Sequence, residues 1–89
     1  MRKIIQWNQF RRDYKRAKRR GQNVEKLEVV VEQLVQFGIL DTVHRPHKLT
    51  GKWTGFWECH IAPDWLLIYA INDDEVLLVR MGSHSDLFS

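Results

Sequence analysis

Seven consecutive apolar residues, Trp65-Leu66-Leu67-Ile68-Tyr69-Ala70-Ile71, form the longest apolar run of the chain and constrain it more than any other feature. A strand with one face in water alternates polar and apolar side chains, so a strand without alternation is covered on both faces. The run is far short of the roughly 20 residues that a membrane helix needs. It therefore predicts the central strand of a sheet with material packed above and below. Turn-forming triplets, Ala62-Pro63-Asp64 and Asn72-Asp73-Asp74, bracket it. Beyond them lie two further β-prone runs, Trp53 to Ile61 and Glu75 to Met81, giving three consecutive strands.

The first half has a different period. Trp7, Phe10, Tyr14 and Ala17 recur at spacings of three and four, the apolar stripe of an amphipathic helix that Asn8 caps and Gly21 ends. A second helix starts at Asn23, buries Leu27, Val30, Val31, Leu34 and Phe37, and stops at Gly38. Ile4-Ile5-Gln6-Trp7 is short and β-prone, a first strand, and residues 44–51 read as an irregular loop. The expected class is α+β, with two N-terminal helices packed on a small antiparallel sheet.

The chain has 89 residues, 44% of them hydrophobic, so residues 1–89 are expected to form one domain with a packed core. Cys59 is the one cysteine and is expected to be buried and inert. No stretch near the N-terminus suits a signal peptide, and the expected location is the cytoplasm. The net charge of +3 hides a segregation. Residues 1–20 carry nine Lys/Arg against Asp13 alone, while the other 69 residues carry five against ten Asp/Glu. Arg11, Arg12, Lys15, Arg16, Lys18, Arg19 and Arg20 fall on the outer face of the first helix, a surface suited to a polyanion such as RNA or the ribosome. The plainer alternative is a solvated helix face.

Folding the turns brings other polar residues together. A turn at 62–64 sets His60 roughly opposite Trp65, and a turn at 72–74 sets Trp65 opposite about Gly82. His60, Asp64 and Gly82-Ser83-His84 then meet at one end of the sheet, with Arg80 two residues before it. Imidazoles beside a carboxylate and a guanidinium supply a proton acceptor, a proton donor and anion stabilisation, which RNA cleavage by its own 2′-hydroxyl requires. Each residue also has a plainer reading: Asp64 as an Asx turn after Pro63, Arg80 as the partner of an acidic neighbour, Trp53, Trp57 and Trp65 as core. A zinc site on His60, Asp64 and His84 lacks any close-spaced ligand pair, so no metal or other cofactor is expected.

The residues from Pro46-His47-Lys48-Leu49-Thr50-Gly51 through Trp53-Thr54-Gly55-Phe56 to His60-Ile61-Ala62-Pro63-Asp64-Trp65-Leu66-Leu67-Ile68-Tyr69 resemble the core of YafQ-type mRNA interferase toxins, in the RelE/ParE superfamily of type II toxin–antitoxin systems. The ending, Arg80, Gly82-Ser83-His84 and Leu87-Phe88, is similar to that of the family. Lys48 departs from the proline that better-known members carry after the histidine. The resemblance implies a β-α-α-β-β-β fold and a ribosome-dependent endoribonuclease. It also implies a cognate antitoxin as partner, with operator DNA bound only through the toxin–antitoxin complex. It implies catalytic roles for His47, His60, Asp64 and His84, a phosphate-facing Arg80, and site-shaping roles for Trp65 and Phe88. His47 enters by resemblance alone. His44 matches nothing functional and is expected to be a solvent-exposed loop residue. The alternatives are a non-enzymatic ParE-like gyrase poison and a nucleic-acid-binding module on the same scaffold.

Overall fold

The structure is a computed structural model and describes residues 1–88. Its elements run β1 (Lys3–Gln6), α1 (Asn8–Arg19), α2 (Val24–Phe37), β2 (His47–Lys48), β3 (Trp57–Ala62), β4 (Trp65–Ile71), β5 (Glu75–Gly82) and α3 (His84–Phe88), with 3-10 turns at Thr42–His44 and Gly51–Trp53. The five strands form one sheet in the order β1-β5-β4-β3-β2. The α+β class stands. The sheet is mixed rather than wholly antiparallel, because β1 lies parallel to β5, with Lys3 opposite Glu75 and Gln6 opposite Leu78. A helical hairpin between β1 and the sheet returns the chain to the far edge, a long-range pairing with no local turn signal.

β4 is the covered strand that its composition demands. Trp65, Leu67 and Tyr69 join Phe10, Leu27, Val30 and Leu34 in the core beneath α1 and α2. Leu66 and Ile68 point to the opposite face, where they meet Val79, Leu87, Leu49, Trp53 and Phe56. Residues 49–56, which include the Gly51–Trp53 turn, and α3 cover that second face, although residues 44–51 carry the composition of a loop. The first strand of the predicted meander begins at Trp57 instead of Trp53, because the Gly51–Trp53 turn occupies its expected start.

The helix signals hold in part. Asn23 Oδ1 accepts the Glu25 amide at 3.0 Å, and Gly38 closes α2 at φ +73°, a conformation that glycine adopts without a Cβ penalty. α1 starts after Trp7, and no side chain caps it. Phe37 is 70% exposed, and Val35 fills the inner face of α2 in its place. The largest departure is Asp13, only 1% exposed within the stripe of α1. β1 leaves the sheet after Gln6, so the edge of β5 beyond Leu78 has no strand partner. Asp13 fills that gap. Its Oδ2 accepts from the Met81 amide at 3.0 Å and from Arg80 Nε at 2.9 Å, and Oδ1 accepts from Gln9 Nε2 at 3.1 Å. A buried carboxylate is tolerated because donors surround it.

Candidate active site

The face of the sheet opposite α1 and α2 carries the histidines. Cys59 and Ile61 point into the helical core, so Glu58 and His60 on the same strand point the other way. Strand register extends both into rows across the sheet. His47 pairs with Glu58, Glu58 with Ile68 and Ile68 with Arg80. The next row runs His60, Leu66, Gly82. His60 therefore sits opposite Leu66, one residue from the expected Trp65, because an irregularity between His60 and Ala62 shifts the register. Gly82 likewise pairs with Leu66.

His84 reaches the end of this face on a device that the chain's pattern does not advertise. α3 has only five residues, and its N-terminus is closed by reciprocal hydrogen bonds. Ser83 Oγ accepts the Asp86 amide at 3.1 Å, and Asp86 Oδ2 accepts the Ser83 amide at 2.8 Å, a capping box. Asp64, in the left-handed region at φ +52°, accepts the His84 amide on Oδ1 at 2.9 Å. Leu87 anchors the helix on Leu66, Ile68 and Val79, and the His84 ring lies 5.2 Å from that of Phe88. Gly82 is required here by space as well. A Cβ on it would stand 2.8 Å from Arg16 Nη2 and from Asp86 Cβ, both closer than packing permits.

The loop before β2 supplies the other side. His47 Nδ1 donates to the Arg45 carbonyl at 3.1 Å, and its Nε2 lies 3.3 Å from Glu58 Oε1, an ion pair when the ring is protonated. Arg45 Nη2 donates to His60 Nδ1 at 3.3 Å. His44, expected in solvent, is half-buried and donates from Nδ1 to the His60 carbonyl at 3.0 Å. Burial lowers the pKa of His60 below its ordinary value, and the Arg45 guanidinium lowers it further. Glu58 opposes them, while His47 and His84 add to the depression. His47 and His84 thus both lie within electrostatic reach of His60. A cleft of about 460 Å³ opens beside His60 but not beside His47 or His84, lined by Lys26 and Val29 of α2 together with His44, Arg45, Ile61 and Pro63.

The remaining expected residues divide. Trp65 is 1% exposed on the helical side of the sheet, so it supports the site from beneath and presents no ring to solvent. Phe88 lies at the surface against His84. Arg80 is held side-on by Asp13, through Nε and, at 3.4 Å, Nη2. That is the acidic partner of the plainer reading, found on α1 instead of the sheet. The basic face of α1 also divides. Arg16 Nη2 lies 3.2 Å from Asp13 Oδ1 and 3.5 Å from Asp86 Oδ2, and Arg20 Nη1 lies 2.7 Å from Asp86 Oδ2. These two arginines clamp α3 to α1. Lys18 lies over the Tyr14 ring, while Arg11, Lys15 and Arg19 extend outward as exposed side chains.

Glu58 and Arg45 are the residues that pattern reading missed. Glu58 had a signal, since it precedes His60 by two positions in a strand and so shares its face. Its carboxylate is buried, and Oε2 has no hydrogen-bond partner among the described residues. Arg45 had none, because a left-handed arginine at φ +46° leaves no mark in composition. Cys59 is buried as expected, and burial together with the Glu58 charge pushes its thiol up to about 12. Among the described residues, no helix is long and apolar enough to cross a membrane.

The model of the bacterial type II toxin–antitoxin family YafQ matches residues 2–89. The chain is 35% identical over 81 residues to the mRNA interferase toxin YafQ of Escherichia coli K12, covering 90% of this chain and 88% of that protein. Among solved structures, the toxin in the E. coli DinJ–YafQ toxin–antitoxin complex superimposes with a TM-score of 0.91 at 34% identity, over 99% of this chain and 98% of the other. A metal-bound toxin from Helicobacter pylori superimposes with a TM-score of 0.90 at 37% identity, over 99% and 100%. A match spanning nearly the whole chain in both sequence and fold places this protein in the YafQ family of bacterial type II toxins.

Proposed function

We propose that this protein is an endoribonuclease toxin that cleaves mRNA on the ribosome and is silenced by a cognate antitoxin. The observation that carries the reading is the gathering of His47, His60, His84 and Asp64 at one end of the sheet face left open by the helical layer. The E. coli relative is an mRNA interferase, and the E. coli YafQ toxin forms a complex with DinJ, an antitoxin. Both properties support the same reading for this chain, with operator DNA reached only through such a complex and the cytoplasm as the place of action.

In the proposed chemistry, Asp64 or a histidine takes the proton from a 2′-hydroxyl, and that oxygen attacks the adjacent phosphorus. Arg80 offsets charge on the phosphoryl oxygens through Nη1, the guanidinium nitrogen outside its pair with Asp13. The P–O5′ bond breaks, and His84 gives its proton to the leaving oxygen. The products are a 2′,3′-cyclic phosphate and a 5′-hydroxyl, with the base regenerated by proton return. A metal is bound in the H. pylori relative. In this chain no group of three or more His, Cys, Asp or Glu among the described residues is arranged to hold one, and the proposed steps use none.

His60→Ala and His84→Ala are the test. Each is expected to reduce single-turnover cleavage of ribosome-bound mRNA by about 10²–10⁴-fold while far-UV circular dichroism and the melting temperature stay near wild type. Cleavage by preformed complexes is expected to survive EDTA. If both variants still arrest growth at matched expression, the catalytic reading is wrong and a binding poison takes its place.

A further inference from the structure

Arg45 touches two of the three proposed catalytic imidazoles. Its guanidinium reaches His60 Nδ1 at 3.3 Å, and its carbonyl accepts from His47 Nδ1 at 3.1 Å. The backbone that allows both contacts is costly: φ is +46°, in the left-handed region that residues with a Cβ avoid. It is held there as the cap of the Thr42–His44 turn, its amide bonded to the Thr42 carbonyl at 2.9 Å. Backbone strain of this kind concentrates where function needs an otherwise unfavourable geometry.

We propose that Arg45 is a positioning residue that fixes His60 as a neutral, Nε2-protonated hydrogen-bond donor and orients the ring of His47. The argument rests on the donor inventory. A guanidinium has N–H groups and no acceptor, so the His60 nitrogen facing it presents a lone pair. The proton of the neutral ring then sits on Nε2, the nitrogen left for substrate. In that form His60 cannot take the 2′-hydroxyl proton. It donates to a phosphoryl oxygen instead, and the base is Asp64 or another histidine. The groups facing the ring are Arg45 from the 3-10 turn, Glu58 on β3, His47 on β2 and His84 at the start of α3. Arg45 opposes a proton on His60, so the neutral ring persists to lower pH with it than without it.

The inference deepens the proposed nuclease function, so its decisive measurement needs no substrate. Histidine ¹⁵N chemical shifts and long-range ¹H–¹⁵N correlations on the free toxin report which ring nitrogen carries the proton, and a pH titration reports where His60 ionises. Three proteins are compared: wild type, Arg45→Gly, which keeps the left-handed backbone and the carbonyl, and Arg45→Lys, which restores a donor-only cation. Expected is an unprotonated Nδ1 in wild type at neutral pH, an upward shift of His60 titration in Arg45→Gly, and recovery in Arg45→Lys. In cleavage assays, Arg45→Gly is expected to lower kcat by up to about 10²-fold with little change in KM. A protonated Nδ1 in wild type, or a His60 titration unmoved by Arg45→Gly, overturns the proposal. If wild type fails to cleave while the ring behaves as expected, it is the nuclease reading that falls.

Discussion

Removing the Asp13 carboxylate tests how α1 is joined to the sheet. Asp13→Ala strands several donors at once: the buried Met81 amide, two nitrogens of Arg80 and the Gln9 amide, together with the ion pair to Arg16. Breaking a buried charge pair by removing one partner costs about 3–5 kcal/mol, since the other charge is left without compensation. A domain of this size has roughly 5–15 kcal/mol in total. With a urea m-value of about 1.5 kcal/mol/M, a loss of about 4 kcal/mol moves the unfolding midpoint down by roughly 2–3 M. Asp13→Asn keeps an acceptor for the Met81 amide while losing the charge, and is expected to cost about half as much. The assay is equilibrium urea unfolding followed by tryptophan fluorescence, with a double-mutant cycle against Arg80→Ala. Coupling of about 1–3 kcal/mol is expected between residues in direct contact. A loss under about 1 kcal/mol for Asp13→Ala, or no coupling to Arg80, refutes the account of this joint.

Arg20 and the Ser83 amide hold the Asp86 carboxyl below the ordinary carboxylate range. A depressed pKa contributes stability above about pH 4 that is lost as pH falls through the folded value, so the melting-temperature advantage of wild type over Asp86→Asn should be full at pH 6 and shrink below pH 4. Arg11, Lys15, Lys18 and Arg19 carry no ion pair among the described residues, so neutralising these four should raise the ribosome concentration for half-maximal cleavage with little change in the saturated rate. The log–log salt dependence should flatten by roughly 0.7–0.9 for each phosphate that the variant no longer grips, and an unchanged slope in a ribosome titration would make the face merely solvated.

What could be read from the chain was what local periodicity carries. β4 was legible because seven apolar residues admit few other placements, and the ends of α2 because Asn23 and Gly38 act within one turn. The β1–β5 pairing was not legible, since parallel strands far apart in sequence share no turn. Two-residue β2 and five-residue α3 fall below any periodic signal, and the Ser83–Asp86 box reads as ordinary loop composition. In the site, turn positions gathered His60, Asp64 and His84 on residue spacing alone. Asp13 was missed for a physical reason: a charge at an apolar-stripe position normally marks the end of the stripe. Here it is solvated by Arg80, Arg16 and a strand-edge amide that no local pattern places nearby.

Those same contacts tie the fold to the chemistry. Asp13 fixes Arg80 from one side, while Arg16 binds both Asp13 and Asp86 and donates to the Met81 carbonyl at 3.2 Å. Asp86 closes the helix that presents His84. One cluster of two carboxylates and three arginines therefore sets both the docking of α1 and the placement of the proposed acid. Arg16 and Arg20, which composition assigns to a polyanion, are neutralised within the fold. Beside His60 and His47, Arg45 has no carboxylate partner among the described residues, while Lys48, on the same short strand as His47, lies over the Trp57 ring. A variant that loosens the Asp86 clamp should accordingly lose melting temperature and cleavage together, and the cleavage loss should persist in assays run well below the variant's own midpoint.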